Sequence, residues 1–333
     1  MRILIMGGTA FVGRHIAQAA IDAGHEVTLF HRGRTGAGLF TGAVHLAGDR
    51  NDDLAALADG SWDATIDVSA YRPRQVRSLA AALHGRGGRY LLISSVSVYK
   101  TPVAPGFGED APLAELADLP DPATEEITAA SYGALKVACE RAAAQLYGPA
   151  GTTVIRPTYV IGPHDHSYRF TWWVERIARG GTVLAPGNPA DPIQVIDARD
   201  LATWTVELAV GAGGGVFHAV SPPPPFGFGE LLETIATRVA PPGTELAWVD
   251  SDFLLAAGED DRSLPLWPAA DAEYDINAAS PAAALAAGLA PRPLGDSVAD
   301  IHAAQARSPV SPPAGLGLTP AREAGLLGRW AAR

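Results

Sequence analysis

The sequence is poor in several residue types, and each shortage excludes a class of protein. It has one cysteine, Cys139, in 333 residues, which excludes an internal disulfide and a metal site built from several cysteines. Acids outnumber bases by 36 to 25, giving a formal net charge of −11, which disfavours nucleic acid or an anionic membrane as the main partner. No apolar run approaches the length of a membrane span, and no signal peptide precedes the first predicted strand. We therefore expect a soluble, cytoplasmic protein.

Residues 2–16, RILIMGGTAFVGRHI, contain the strongest local pattern. Ile3 to Met6 are continuously apolar, which is typical of a parallel strand buried on both faces. Gly7 and Gly8 end that strand, and apolar residues resume at helical spacing from Phe11. A tight turn between a strand and a helix aims backbone N–H groups and the positive helix end at one point, where a pyrophosphate can bind.

The segment GGTAFVG resembles the dinucleotide fingerprint of the extended short-chain dehydrogenases/reductases, which include nucleotide-sugar epimerases, dehydratases and related reductases. That family usually has Gly-x-x-Gly-x-x-Gly, whereas here Ala10 stands at the middle position between Gly7 and Gly13. One added methyl is tolerable beside a phosphate. The resemblance implies that the turn binds the cofactor through Gly7, Thr9, Ala10, Phe11, Val12 and Gly13.

The end of the second predicted strand, residues 26–31, bears on the choice of cofactor. An acid after this strand favours the free 2′-hydroxyl of NAD, whereas arginine accommodates the 2′-phosphate of NADP. The sequence continues with Arg32 and Arg34 and has no acid there. We expect NADP, with NAD as the alternative; the two arginines could also belong to a merely solvated loop.

A short third strand, residues 44–46, leads into Gly48-Asp49-Arg50. In the resembling family a Gly-Asp at this point turns toward the adenine, so Asp49 and Arg50 are expected to contact the cofactor. Asp49 could equally cap a helix over residues 53–57.

Strands and helices alternate through the first half, with further strands at 62–69 and 89–98 and a helix at 76–83. This alternation predicts an α/β fold, a Rossmann-type doubly wound parallel sheet covered on both faces. Ligands of such sheets bind beyond the carboxyl ends of the strands. Ser69 and Ala70 lie at such an end and are expected to contact the cofactor, and the proline-rich stretch 100–130 is expected to be a long loop on the same rim.

Tyr132 and Lys136 lie four residues apart in a predicted helix over 131–148, so their side chains share one face. A free tyrosine has a pKa near ~10, and a neighbouring ammonium would lower it and favour the phenolate. The resemblance implies that Tyr132 transfers a proton, that Lys136 also holds the cofactor ribose, and that Ser95, four residues before Tyr99, holds the substrate oxygen. Ser94 and Ser97 are alternatives for Ser95, and Cys139 is expected to be a buried thiol.

The segment Arg156–Pro163 resembles the Arg-Pro-x-x-Val-x-Gly-Pro turn that borders the nicotinamide in the family, which implies cofactor contacts from Pro157 and Val160. Residues assigned to the substrate are Ser97, Tyr159, Arg169 and Trp172; core packing is the alternative for one of the tryptophans at 172 and 173. No third ligand accompanies His164 and His166, so no metal site is predicted.

The chain is expected to divide into a cofactor domain, 1–163, with its sheet completed by about 192–220, and a smaller substrate domain, 164–191 and 221–333. Asp200 is expected to cap a helix, as in the resembling family. The Pro- and Gly-rich segment 308–319 is expected to be mobile.

These patterns predict an NAD(P)-dependent oxidoreductase that acts on a carbonyl or alcohol carbon of a small polar substrate, sugar-nucleotide-like or a secondary metabolite. The sequence has Val96-Ser97 where the sugar dehydratases have an acid pair, which disfavours dehydration. The alternatives are a nucleotide-sugar epimerase with retained NAD and a non-catalytic NAD(P)-binding sensor or RNA-associated protein. A monomer or homodimer is expected.

Overall fold

The computed structural model describes residues 1–36, 38–268 and 275–333. Its strands are β1 (Arg2–Met6), β2 (Glu26–His31), β3 (Val44–Ala47), β4 (Ala64–Asp67), β5 (Arg89–Ile93), β6 (Thr152–Pro157), β7 (Tyr159–Ile161), β8 (Thr182–Pro186), β9 (Val195–Asp197), β10 (Gly215–Ala219) and β11 (Glu245–Val249). Its helices are α1 (Phe11–Asp22), α2 (Pro73–Leu83), α3 (Ala129–Tyr147), α4 (Arg169–Ala178), α5 (Ala198–Val210), α6 (Phe228–Val239), α7 (Ser251–Ala256), α8 (Ala282–Ala286), α9 (Leu294–Arg307) and α10 (Pro320–Ala331).

The central sheet has seven parallel strands in the order β10-β6-β5-β4-β1-β2-β3. The chain enters at β1 and winds outward first on one side and then on the other, which is the order of a Rossmann fold. The predicted fold class is therefore confirmed. The order reverses next to β1, so its carboxyl end opens onto the crevice where such sheets bind ligands.

Helices cover both faces of this sheet, so the inner strands β1, β4, β5 and β6 are buried on both sides, whereas the edge strand β3 is partly exposed. On one face α1 and α5 pack together, and Ile16 and Leu201 meet the strand residues Ile3 and Ile5. On the other face α2 and α3 pack together, and Cys139 lies in that core as a fully buried thiol. Burial raises the pKa of Cys139 to about 12, so the thiol stays protonated.

A second core lies outside the sheet and gathers α4, α6, α9 and α10 around Trp173 and Phe228. The segment around residue 318 and helix α10 pack into it through Leu318 and Leu326, and Glu323 forms a buried ion pair with Arg176. The segment expected to be mobile therefore leads into a docked helix. The division into two domains stays a prediction.

Two local predictions were wrong. The fifth strand ends at Ile93, and Val96–Val98 form a 3-10 turn capped by the Ser95 side chain, which accepts from the Ser97 N–H. Helix α5 is capped by Asp197, while Asp200 sits in its first turn and pairs with Arg292 at 2.7 Å.

Candidate active site

A cavity of about 1470 Å³ runs along the carboxyl ends of the sheet strands. It contains most of the residues selected from the sequence, although their roles stay predictions. The predicted residues that line it are Ser95, Tyr132 and Lys136; Gly7, Thr9, Ala10, Phe11, Val12, Arg32, Arg34, Asp49, Arg50, Ser69, Pro157 and Val160; and Ser97, Tyr159 and Arg169. Gly13, Ala70 and Trp172 do not line it.

The glycine turn is shaped for a close approach of backbone to ligand. Gly7 has φ +94°, and a Cβ placed on Gly13 would lie 2.1 Å from the Gly7 carbonyl oxygen, so neither position suits a larger residue. Ala10 is the N-cap of α1 and has no side-chain capping bond, and the first turn carries no acid. The first N–H groups of α1 are thus left for a bound anion, and the turn fits the pyrophosphate of a dinucleotide.

Two exposed arginines, Arg32 and Arg34, follow β2 at one end of the cavity. Asp49 accepts hydrogen bonds from the backbone and side chain of Asn51 at 2.9 Å. These bonds and the nearby charges of Arg32 and Arg34 lower the pKa of Asp49. The alternative in which Asp49 caps a following helix is wrong, because Asp53 supplies the acceptor there.

Arg50 was predicted to contact the cofactor, but its guanidinium is directed at Asp67, with bonds of 2.6 and 2.8 Å. Burial would raise the pKa of Asp67, but the Arg50 charge together with the hydrogen bonds from Arg50, Tyr90 and the Ser69 N–H outweighs burial, so this pKa is lowered. Arg50 also donates to the Ser69 hydroxyl at 2.9 Å. It lines the cavity, and these bonds hold the end of β4 in place.

Ala70 contributes a backbone carbonyl group to the site, and its side chain does not line the cavity. The buried ammonium of Lys136 donates to the carbonyl oxygens of Ala70 and Ile93, at 2.8 Å each. It also lies 4.9 Å from the centre of the Tyr71 ring, in a cation–π arrangement. Burial lowers the pKa of Lys136 to about 8.

Tyr132 is brought beside Ser95 by a glycine. A Cβ on Gly133 would lie 2.0 Å from the Ser97 carbonyl oxygen, so α3 can pack this closely on the 3-10 turn only with glycine there. The Ser95 hydroxyl lies within hydrogen-bonding reach of the Tyr132 phenol.

The expected lowering of the Tyr132 pKa is wrong for this structure. Burial raises the pKa of Tyr132 to about 12, against smaller lowering effects of Ser95 and the Arg169 charge. The Lys136 ammonium is engaged with two carbonyl groups instead of the phenol. Tyr132 is therefore a protonated phenol at neutral pH.

Ser94, an alternative to Ser95, also lines the cavity, but its hydroxyl is already engaged. It is buried and donates to Glu140 at 2.5 Å, and Glu140 pairs with Arg156 at 2.7 Å. This buried group joins β5, α3 and β6 beneath the cavity and fixes the helix that carries Tyr132.

Beside the start of α4 the cavity is lined by an arginine, Arg169, that has no carboxylate partner within 4 Å among the described residues. The Arg169 guanidinium lies 4.8 Å from the centre of the Tyr159 ring, and its Nε donates to Ser167 at a long 3.4 Å. The neighbouring Asp165 accepts two bonds from Ser167 instead.

Trp172 was predicted to bind substrate, but it is buried against Trp173, with ring centres 4.7 Å apart. Gly317 lies against its indole, so both tryptophans belong to the second core. Two consecutive tryptophans in a helix point in different directions, and the sequence does not reveal whether either of them faces the cavity.

Tyr71, Asp261 and Asn277 also line the cavity, and none of them was given a role from the sequence. Tyr71 directly follows the predicted Ser69 and Ala70, so its place after β4 was an available signal. Asp261 and Asn277 come from distant segments, and no local pattern indicates them. Within residues 1–36, 38–268 and 275–333, no group of three His, Cys, Asp or Glu side chains is placed to hold a metal ion.

Comparison with known proteins agrees with this geometry. The protein-family model described as "NAD dependent epimerase/dehydratase family" matches residues 3–210, well over half of the chain. The chain belongs to this family. Membership in the NAD-dependent epimerase/dehydratase family supports a nicotinamide cofactor and a general oxidoreductase or epimerase activity.

Two curated relatives and one solved structure illustrate the likeness. The chloroplast stem-loop binding protein of 41 kDa b of Arabidopsis thaliana is 29% identical over 219 residues, covering 61% of this chain but only 53% of that protein. The 2-alkyl-3-oxoalkanoate reductase of Stenotrophomonas maltophilia (strain K279a) is 24% identical over 273 residues, covering 74% of this chain and 78% of that protein. The UDP-glucose 4-epimerase of Thermus thermophilus, solved in complex with NAD, is 16% identical with a TM-score of 0.64, covering 92% and 100% of the two chains, which shows a shared fold.

The helices of the described segments do not include one with both the length and the apolar character needed to cross a membrane.

Proposed function

We propose that this member of the NAD-dependent epimerase/dehydratase family is an NADP-dependent reductase of a carbonyl compound. The observation that carries the proposal is one cavity that holds Ser95, Tyr132 and Lys136 together with Arg32 and Arg34. A bound NADPH would supply the hydride. The chain's own residues must then hold the carbonyl oxygen and deliver a proton to it.

Tyr132 and Ser95 suit those two tasks. A phenol whose pKa is raised to about 12 is protonated at neutral pH, so it can donate a hydrogen bond to a carbonyl oxygen and a proton to the forming alkoxide. The Ser95 hydroxyl, which donates to Ser97 Oγ at 3.0 Å in this structure, would turn its O–H to the same oxygen when substrate binds. Lys136, fixed by two carbonyl groups, keeps a third N–H for the cofactor ribose.

The substrate end favours a ligand with an acidic group. The Arg169 side chain lines the cavity, and a planar guanidinium fork binds carboxylate or phosphate in bidentate fashion. A sugar nucleotide and an oxo acid both satisfy this requirement. The similarity to 2-alkyl-3-oxoalkanoate reductase supports the oxo acid.

The test is turnover of a matched panel with NADPH or NADH, followed by nicotinamide absorbance. We would use 2-methylacetoacetate, its methyl ester and UDP-glucose. Faster reduction of the acid than of the ester, with NADPH preferred, supports the proposal. A tightly retained NAD⁺ together with epimerised UDP-glucose would overturn it in favour of an epimerase.

An RNA-binding role is a second candidate, favoured by the similarity to a stem-loop binding protein. The net charge of −11 opposes it, because RNA affinity depends on neutralising phosphates. Retention of a stem-loop RNA on a filter at physiological salt, with no turnover of any ketone, would support this second role.

A further inference from the structure

Two histidines form a chain of hydrogen bonds beside the loop that carries Arg32 and Arg34. Gly33 N–H donates to Nδ1 of His31 at 3.0 Å. Nε2 of His31 lies 2.9 Å from Nδ1 of His45, and Nε2 of His45 lies 3.3 Å from the Phe40 carbonyl oxygen. We call this set the His31–His45 relay.

The end groups fix the direction of every bond in the relay. Gly33 N–H can only donate, so Nδ1 of His31 is the acceptor and the proton of this neutral ring is on Nε2. His31 therefore donates to Nδ1 of His45, whose own proton is on Nε2. That proton points at the Phe40 carbonyl, which can only accept. Both imidazoles are therefore neutral. Burial also lowers the pKa of His31, which favours its neutral form.

The relay ties Gly33 and Phe40 to the sheet edge. Gly33 begins the loop, with φ +70°, and Phe40 lies near its end, with φ +58°. His31 closes β2 and His45 lies on β3, so the anchors are two paired strands. The Thr35 hydroxyl adds a 3.1 Å bond to Thr9 of the glycine turn. The backbone on either side of Arg32 and Arg34 is thereby held.

We propose that His31 and His45 are positioning residues for cofactor specificity, because their relay fixes the loop that presents Arg32 and Arg34 to the 2′-phosphate of NADP. The inference rests on the proposed use of NADP. An arginine side chain loses rotamer entropy when it is immobilised. A loop that is already fixed spares the further cost of ordering its backbone on binding.

Cofactor titrations followed by nicotinamide fluorescence test this without a substrate. The quantity measured is the ratio of the Kd for NADH to the Kd for NADPH. We expect His45→Leu to lower this ratio about fivefold or more. This is the scale of one lost hydrogen bond, here a bond that supports the backbone carrying the two arginines. The Kd for NADH should stay within about twofold, since the glycine turn is untouched.

His45→Asn is a partial rescue, because its Oδ1 can replace Nδ1 as the acceptor for His31 while the bond to Phe40 is lost; the ratio should lie between those of the native protein and His45→Leu. His31→Asn keeps an acceptor for Gly33 N–H but cannot reach His45, so the ratio should fall even if His45→Leu does not fold. In an Arg32→Ala/Arg34→Ala background, His45→Leu should have no further effect, because its action passes through the arginines.

Each failure has its own signature. Equal native affinities for NADPH and NADH would overturn the proposed use of NADP and this inference with it. A native preference for NADPH that His45→Leu and His31→Asn leave unchanged would overturn the inference alone. A further loss of preference on adding His45→Leu to the double arginine variant would show that the relay does not act through them.

Discussion

Lys136 donates a 2.8 Å hydrogen bond to the carbonyl oxygen of Ala70, the residue that follows Ser69 after β4. The residues on either side of Ala70 are also fixed. Arg50 donates to Ser69, and the Tyr71 N–H donates to the Gln75 side chain at 2.8 Å. The position of the lysine thus depends on the ion pair between Arg50 and Asp67 and on the first turn of α2.

Tyr132→Phe keeps the ring and its packing and deletes only the hydroxyl. Turnover should fall by about 10²–10⁴, the usual contribution of a positioned acid, while NADPH binding survives. Ser95→Ala should also lower the rate with little change in cofactor affinity, whereas Lys136→Ala should lower both. Steady-state kinetics and a fluorescence titration separate the two effects. Native turnover by Tyr132→Phe would mean that another group donates the proton.

Tyr71 should matter for its ring and not for its hydroxyl. Its face lies 4.9 Å from the Lys136 ammonium, and a cation–π contact of about 0.5–2 kcal/mol corresponds to roughly one pKa unit. Tyr71→Leu should therefore move the alkaline limb of the pH–rate profile below the pKa of about 8. The other groups that act on Lys136 are unchanged: Cys139, Asp67, Glu140 and Arg50. Tyr71→Phe should keep the native limb, and a shift in that variant would contradict the cation–π explanation.

Because Lys136 is buried, the free energy of unfolding should depend on pH through this side chain. Its pKa is about 8 in the folded chain and 10.5 as a free side chain. Between these values the unfolded chain binds more protons than the folded chain, so the free energy of unfolding increases as the pH rises. The gain at full deprotonation is about 3 kcal/mol. Denaturant titrations from pH 7 to 10.5 should show this rise in the native protein relative to Lys136→Met, and parallel curves would contradict it.

Glu323→Gln should lower the free energy of unfolding. Glu323 and Arg176 are 7% and 8% exposed and lie 2.7 Å apart, and removing one charge of a buried pair costs about 3–5 kcal/mol. The matched control is Asp296→Asn, whose pair with Arg238 is about half exposed at both ends and should cost less than about 1 kcal/mol. Equal midpoints for the two variants in urea would show that the buried pair contributes little.

Sequence reasoning succeeded where a pattern is local. The strand, glycine turn and helix at residues 2–22 follow from apolar periodicity and glycine placement, and the Tyr132 and Lys136 spacing places both on one helix face. It failed where a side chain chooses among partners distant in the chain. The partner of Arg50 is Asp67 and that of Asp200 is Arg292. Neither pairing can be recognised from the residues next to it in the sequence.

The pair between Arg176 and Glu323 also sets an order of events during synthesis. The two residues are separated by 147 positions, so the ribosome makes Arg176 long before its partner. The strands of the central sheet are complete by Ala219, and that part of the chain can fold while the rest is being made. The second core cannot close until helix α10 emerges, and the nascent chain carries an unpaired arginine on its apolar surface until then. Pulse proteolysis of stalled nascent chains should find the sheet protected well before the segment around Arg176.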